Sequence, residues 1–219
     1  MITPETRKQN SEQKIQAKGI AVHPHLPMIE SSAYVELKGL DVICKRAVVT
    51  LLSTQIACDL GNQEYSEIRF FIDLMKKFGV RNEVNQKEKK LIGGTFSQQD
   101  IADVVWEYEC CWSLFWALGL IDTIEDADTI CDCEKAIHLV ADCKDYQEFK
   151  NKCHLRNIEE ILDMLDLYYR YHWAVVEKEH FKPELPVGNL NPEVVWERRR
   201  GLEWLISKES DWYEISLDT

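Results

Sequence analysis

The sequence predicts an all-α protein, a single globular multi-helix domain with a long central helix near its C-terminal third. Three observations lead there. Apolar residues recur at helical spacing along most of the chain, alternating strand-like runs are nearly absent, and Ser, Asn and Gly stand where helices begin and end. At 219 residues the chain suits one domain, residues 1–219. Such a domain buries roughly 70% of its unfolded surface, a core sufficient without disulfides or metal.

Residues 1–20 are polar, with Arg7, Lys8, Lys14 and Lys18 and no hydrophobic stretch. They are not a signal peptide and are expected to fray. His23-Pro24-His25-Leu26-Pro27 imposes an extended segment. The first long helix is expected over 41–60, with Asp41 in its opening turn and an apolar body through Val48, Val49, Leu51, Leu52 and Ile56. Residues 64–78 repeat the spacing through Tyr65, Ile68, Ile72 and Met75, and Gly79 offers a stop. A Lys-rich turn at 85–92 ends on Gly93-Gly94. Ser97, with Asp100 three residues on, opens a helix reaching Gly119. Asn157 with Glu160 repeats that arrangement before a run of about 23 residues to His180, whose apolar arc of about 200° marks it as central. Pro183, Pro186 and Gly188 form a linker, and Asn191-Pro192 starts a last helix ending near Ser207. There is no internal repeat.

Composition narrows the function classes. With 26 basic against 38 acidic residues the net charge is −12, which argues against nucleic-acid phosphate binding. A hydrophobic share of 45% excludes disorder. No apolar run reaches the ~18 residues of a membrane helix, so a cytoplasmic protein is expected. Eight cysteines in a chain of this size, without an export signal, read as reduced and mostly buried thiols. Cys131, Cys133, Cys143 and Cys153 with His138 and His154 lack the spacing of a zinc site. Ordinary packing is the expectation, with no metal and no cofactor. The adjacent Cys110 and Cys111 diverge by about 100° on a helix and make no redox pair.

Acidity is concentrated: residues 101–150 hold 12 acidic and 3 basic side chains, with Asp122, Glu125, Asp126, Asp128, Asp132 and Glu134 close together. This is either a solvated loop or a contact surface for a basic protein partner. Signature motifs of hydrolases, phosphate loops, dinucleotide folds and zinc proteases are absent. Glu177-x-x-His180 has di-iron spacing but no second half-site.

Three expected helices carry an ionisable residue on an apolar face. Glu109 falls among Val105, Trp112 and Trp116, opposite Asp100, Asp103 and Glu107. His172 lies inside the apolar arc of the long helix, whose narrow polar stripe holds Glu159, Asp163, Asp166, Arg170 and Glu177. Arg198 sits among Val194, Val195, Leu202, Leu205 and Ile206, whereas Arg199 and Arg200 point elsewhere. The economical expectation is that Glu109, His172 and Arg198 meet. They then form either a buried network fixing helix register or the lining of a pocket with perturbed pKa values.

Trp106-x-x-Glu109 with Leu114-Phe115-Trp116-Ala117-Leu118-Gly119 is one familiar stretch; Glu159-Glu160-Ile161-Leu162-Asp163, Asp166-Leu167 and Tyr169-Arg170-x-His172-Trp173-Ala174 form another. With Val194-Val195-x-Glu197-Arg198, Leu202-x-Trp204-Leu205, Asp218-Thr219, Leu26-Pro27 and Lys45-Arg46-Ala47, the chain resembles the bacterial domain-of-unknown-function 4272 family over nearly its whole length. The resemblance implies a largely helical cytoplasmic domain and brings no established activity. Carried onto this chain, the family pattern includes Glu109, Asp163, Asp166, Arg170, His172, Glu197 and Arg198. The chain departs from it at Arg199, Arg200 and Gly201, where His, an aromatic and Ala are expected, and at Tyr213, where Asp is expected.

Two functions stay open. One is an intracellular interaction module with an acidic surface, an internal polar cluster and a basic protein partner. The other is an enzyme or a small-molecule (anion) binder using a pocket lined by Glu109, Asp166, Arg170, His172 and Arg198.

Overall fold

A computed structural model describes residues 2–219. Among these residues the fold is all helical: α1 (Pro4–Ala17), α2 (Leu40–Gly61), α3 (Ile68–Lys77), α4 (Gln86–Gly93), α5 (Gln98–Ala117), α6 (Cys133–Ala141), α7 (Tyr146–Lys152), α8 (Ile158–His180), α9 (Pro192–Ile206) and a final 3-10 turn at Trp212–Glu214. No helix among the described residues is long and apolar enough to cross a membrane.

The chain divides into two compact units. One combines residues 1–38, 123–130 and 156–219; the other combines 39–122 and 131–155. In the first, α8 packs against both α1 and α9. Its core is built on Ile161, Leu165, Tyr168, Val194, Leu202 and Leu205, all buried. Trp204 and Trp212 pack edge to face at 6.2 Å, bringing the 3-10 turn onto α9. In the second unit α2 and α5 share the main interface, which α3, α4, α6 and α7 extend. Phe115 of α5 meets Phe149 of α7 edge to face at 6.3 Å.

Side-chain capping sets most helix starts. Asn85 with Glu88, Ser97 with Asp100 and Asn157 with Glu160 each form a reciprocal box that satisfies two otherwise orphaned amides. The last two are the starts the sequence marks. The first turns the expected Lys-rich turn at 85–92 into the helix α4. Asp132 and Asp145 cap α6 and α7, two short helices for which periodicity gives no signal.

The N-terminus corrects a second expectation. Residues 4–17 do not fray but form α1, with Thr3 as its cap, Pro4 in its first turn and Arg7, Ser11 and Ile15 buried. Its inward face is mostly polar, so a search for apolar spacing passes over it. It is held by charge pairs to α8, described below.

One glycine is required by its surroundings. Gly119 ends α5 at φ +71°, and a Cβ there would stand 2.8 Å from the His154 carbonyl oxygen. The neighbouring Leu118 carbonyl accepts the His154 amide at 2.8 Å, which fixes that approach. Gly119→Ala is therefore expected to destabilise the chain by about 2 kcal/mol or more, since strain and clash add. Urea unfolding would read the loss as a lower midpoint; an unchanged midpoint would contradict the tight approach.

Candidate functional site

Of the residues singled out by sequence, Asp163, Asp166, Arg170 and His172 lie on α8, Glu197 and Arg198 on α9, and Glu109 on α5. Glu109 thus belongs to one compact unit and the other six to the second.

Asp166 and Arg170 form a bidentate pair, with Nε on Oδ2 at 2.9 Å and Nη2 on Oδ1 at 2.8 Å. At 0% and 2% exposure they are not the surface i,i+4 pair that spacing alone suggests. Arg170 also reaches the Pro27 carbonyl at 3.4 Å and stands 3.6 Å from Glu12 of α1. On the same side, buried Arg7 of α1 donates to Asp163 at 2.8 Å and to Glu159 at 2.5 Å. Ser32 adds a bond to Glu159 at 2.7 Å. Burial of Arg7 without Glu159 and Asp163 would leave a desolvated charge, so these pairs explain why a polar N-terminus folds onto α8.

Arg198 has a different task. Its Nη1 donates to the Asp126 carbonyl at 2.6 Å and to the Tyr168 hydroxyl at 3.2 Å, and its Nη2 donates to the Thr129 carbonyl at 3.2 Å. The Tyr168 hydroxyl in turn donates a hydrogen bond to the Ile124 carbonyl at 2.6 Å. The Asn191 amide binds the Ala127 carbonyl at 2.8 Å, and Tyr171 reaches the Glu125 carbonyl at 3.4 Å. Carbonyls 124 to 127 and 129 are all held from α8, α9 or the α9 cap. The carboxylates of the segment are left at the surface: Lys14 meets Glu125 at 2.5 Å, Lys18 meets Asp126 at 2.7 Å, and Asp128 is exposed, as is Ile130 two residues on, at 59%.

His172 pairs with the residue that spacing turned away. Arg199 is buried, and its Nη1 hydrogen-bonds His172 Nδ1. The same guanidinium donates to the Leu217 and Asp218 carbonyls at 2.9 and 3.0 Å, binds Glu203 at 3.2 Å and lies 4.8 Å over the Tyr169 ring. The expectation that Arg199 points elsewhere is corrected. The C-terminal residues return over α9 and bury a second face of that helix. Arg200 pairs with Glu197 at 3.0 Å and stacks on Tyr213. Because a guanidinium can only donate, His172 Nδ1 is the acceptor and Nε2 carries the proton. Nε2 is buried with no hydrogen-bond partner, while the ring packs 4.9 Å from Trp196.

In the second unit Glu109, 1% exposed, accepts the Cys131 amide at 2.6 Å. Sequence reasoning missed a further network there. Buried Arg46 of α2 pairs with Glu88 of α4 and donates to Thr50 at 2.9 Å and the Glu83 carbonyl at 2.8 Å. Asn85 donates to Glu107 of α5 at 2.9 Å. The helical wheel put Glu107 with Asp100 and Asp103 on a polar side; the available signal was Arg46 itself, set among the buried Ile43, Ala47 and Val49 of α2. No group of three or more His, Cys, Asp or Glu among the described residues is arranged to hold a metal ion.

Burial, followed by the charges of Arg199 and Arg200, lowers the His172 pKa from 6.5 to about 3. The folded value lies below the unfolded one. The stability of the neutral ring is therefore whole above pH 6.5 and is lost as pH falls toward 3, while unfolding takes up a proton. Relative to His172→Gln, the wild type is expected to lose stability with a slope approaching about 1.4 kcal/mol per pH unit in that window. Urea titrations at several pH values would measure it, and parallel curves for the two proteins would refute a buried neutral imidazole.

No curated protein and no solved structure matches the chain. The family described as Domain of unknown function (DUF4272) matches residues 7–215, from the arginine that ties α1 to α8 through to the end of the 3-10 turn region. With nearly its whole length matched, the chain belongs to the DUF4272 family.

Proposed function

We propose that this protein is an interaction module that presents the acidic segment 123–130 to a basic protein partner. The observation that carries the reading is the way this segment is held: side chains of α8 and α9 bind its carbonyls from within, so its acidic side chains stand at the surface on a fixed backbone, Glu125 and Asp126 paired with Lys14 and Lys18 and Asp128 exposed. A pre-ordered surface loses little entropy on binding. Asp128 and Ile130, two residues apart, supply an exposed carboxylate and an exposed apolar side chain, a combination suited to a partner with a basic rim around an apolar pocket. The eight free cysteines fit a reducing compartment, and we read the location as cytoplasmic.

A second reading, an anion binder or enzyme, is favoured by one observation, and it rests on His172 alone: Glu109 lies in the other compact unit, while Asp166 with Arg170 and Arg198 with the 126 and 129 carbonyls are engaged in networks of their own. His172 Nε2 is a buried donor without a protein acceptor, which a small anion could satisfy. Thermal shifts with a panel of inorganic and organic anions, lost in His172→Gln, would support this reading over the first.

The interaction reading predicts that Asp128→Lys and Ile130→Ala each weaken partner capture at least about tenfold without moving the unfolding midpoint, and that capture by the wild type declines as salt rises from about 0.05 to 0.5 M. Identical capture by wild type and variants, or capture indifferent to salt, would refute it. Arg198→Met is expected to cost about 2–4 kcal/mol of stability and to weaken capture as well, because it releases the Asp126 and Thr129 carbonyls.

A further inference from the structure

Cys131 and Cys133 flank Asp132, the N-cap of α6, and Cys133 is the first residue of that helix. Their sulfurs lie 3.9 Å apart. Closing to a disulfide needs an approach of about 1.9 Å, within the range of side-chain rotation. The backbone on the inner side is anchored, since Glu109 holds the Cys131 amide at 2.6 Å. The two thiols differ in access: Cys133 is partly exposed and Cys131 is buried beside it. One sulfur can meet a reagent while the other waits to resolve the product. Cys44 and Cys153 also neighbour each other, but both are buried, so no reagent reaches either.

We infer that Cys131 and Cys133 form a peroxide-sensitive dithiol that closes reversibly to an intrachain disulfide. The Cys133 thiolate attacks one oxygen of hydrogen peroxide and the O–O bond breaks. The departing hydroxide takes up a proton and leaves as water, and Cys133 becomes a sulfenic acid. Cys131 then displaces the hydroxyl group from that sulfur; the S–S bond forms, and the hydroxyl leaves as a second water with the Cys131 proton. Two thiols lose two electrons in all, and one peroxide is reduced to two waters. The hydrogen bond from Cys131 favours the thiolate of Cys133, lowering its pKa and raising that of Cys131. Its own backbone amide at the start of α6 also favours the thiolate, while burial, Glu109 and Asp132 oppose its charge. This site is independent of the acidic-segment reading.

The test exposes the full reduced chain to limiting hydrogen peroxide, followed by denaturation and alkylation. Of the eight free thiols only Cys131 and Cys133 are expected to escape alkylation, with a mass loss of about 2 Da before alkylation and full recovery by dithiothreitol. Proteolysis before Asp132 separates the two cysteines unless they are linked, which identifies the bond. Cys131→Ser is expected to stop at a Cys133 sulfenic acid that dimedone traps. Cys133→Ser is expected to slow oxidation of Cys131 at least about tenfold. Alkylation of both cysteines after peroxide, loss spread evenly over all eight, or equal oxidation of Cys131 in wild type and Cys133→Ser would overturn the proposal.

Discussion

A buried guanidinium cannot shed its charge and brings five N–H donors that must find acceptors away from water. Among the described residues Arg7, Arg46, Arg170, Arg198 and Arg199 all stand at 5% exposure or less. Much of the fold is arranged to supply their acceptors. Arg7 and Arg170 draw on carboxylates of α8, Arg46 on Glu88 and a loop carbonyl, Arg198 on segment 123–130, and Arg199 on Glu203 and the C-terminal carbonyls. Segments with little apolar content of their own, such as α1 and the stretch around residue 126, are ordered because an arginine needs them.

These networks need not raise stability over what a well-packed apolar core would give, because desolvating the ions offsets much of their attraction. They restrict geometry. A bidentate Asp166–Arg170 pair or an Arg198 fork on two carbonyls tolerates only small shifts, whereas leucines facing leucines tolerate a slipped register. The acidic segment is thereby held in one conformation, and its charge becomes a defined surface rather than a mobile tail. The same constraint at Glu109 and the Cys131 amide holds one side of the thiol pair.

Helical periodicity made the inward positions of Glu109, His172 and Arg198 legible, because each interrupts a long apolar face and all three prove buried. It failed for Arg199 for an identifiable reason. A helical wheel assumes one buried face, and α9 has two, the second covered when Leu217 and Asp218 return onto it. It failed for α1 because the buried face there is mostly polar, and for Glu107 because α5 is buried on every side from Glu107 to Ala117, so in neither is there the contrast that periodicity detects. The short helices α6 and α7 carry caps but too few turns for a period to register.

Local chemistry suffices for what depends on neighbours within a turn or two: the helical class, the boxes at Ser97 and Asn157, and the stop at Gly119 where the backbone turns left-handed. These follow from propensity and hydrogen bonds closed within a few residues. Which acceptor each buried arginine finds is another matter. Arg7 meets Asp163 and Arg198 meets Asp126, partners 156 and 72 residues away along the chain. An ionic hydrogen bond depends on where two distant atoms stand, and that is fixed only when the helices have packed and water has left the space between them.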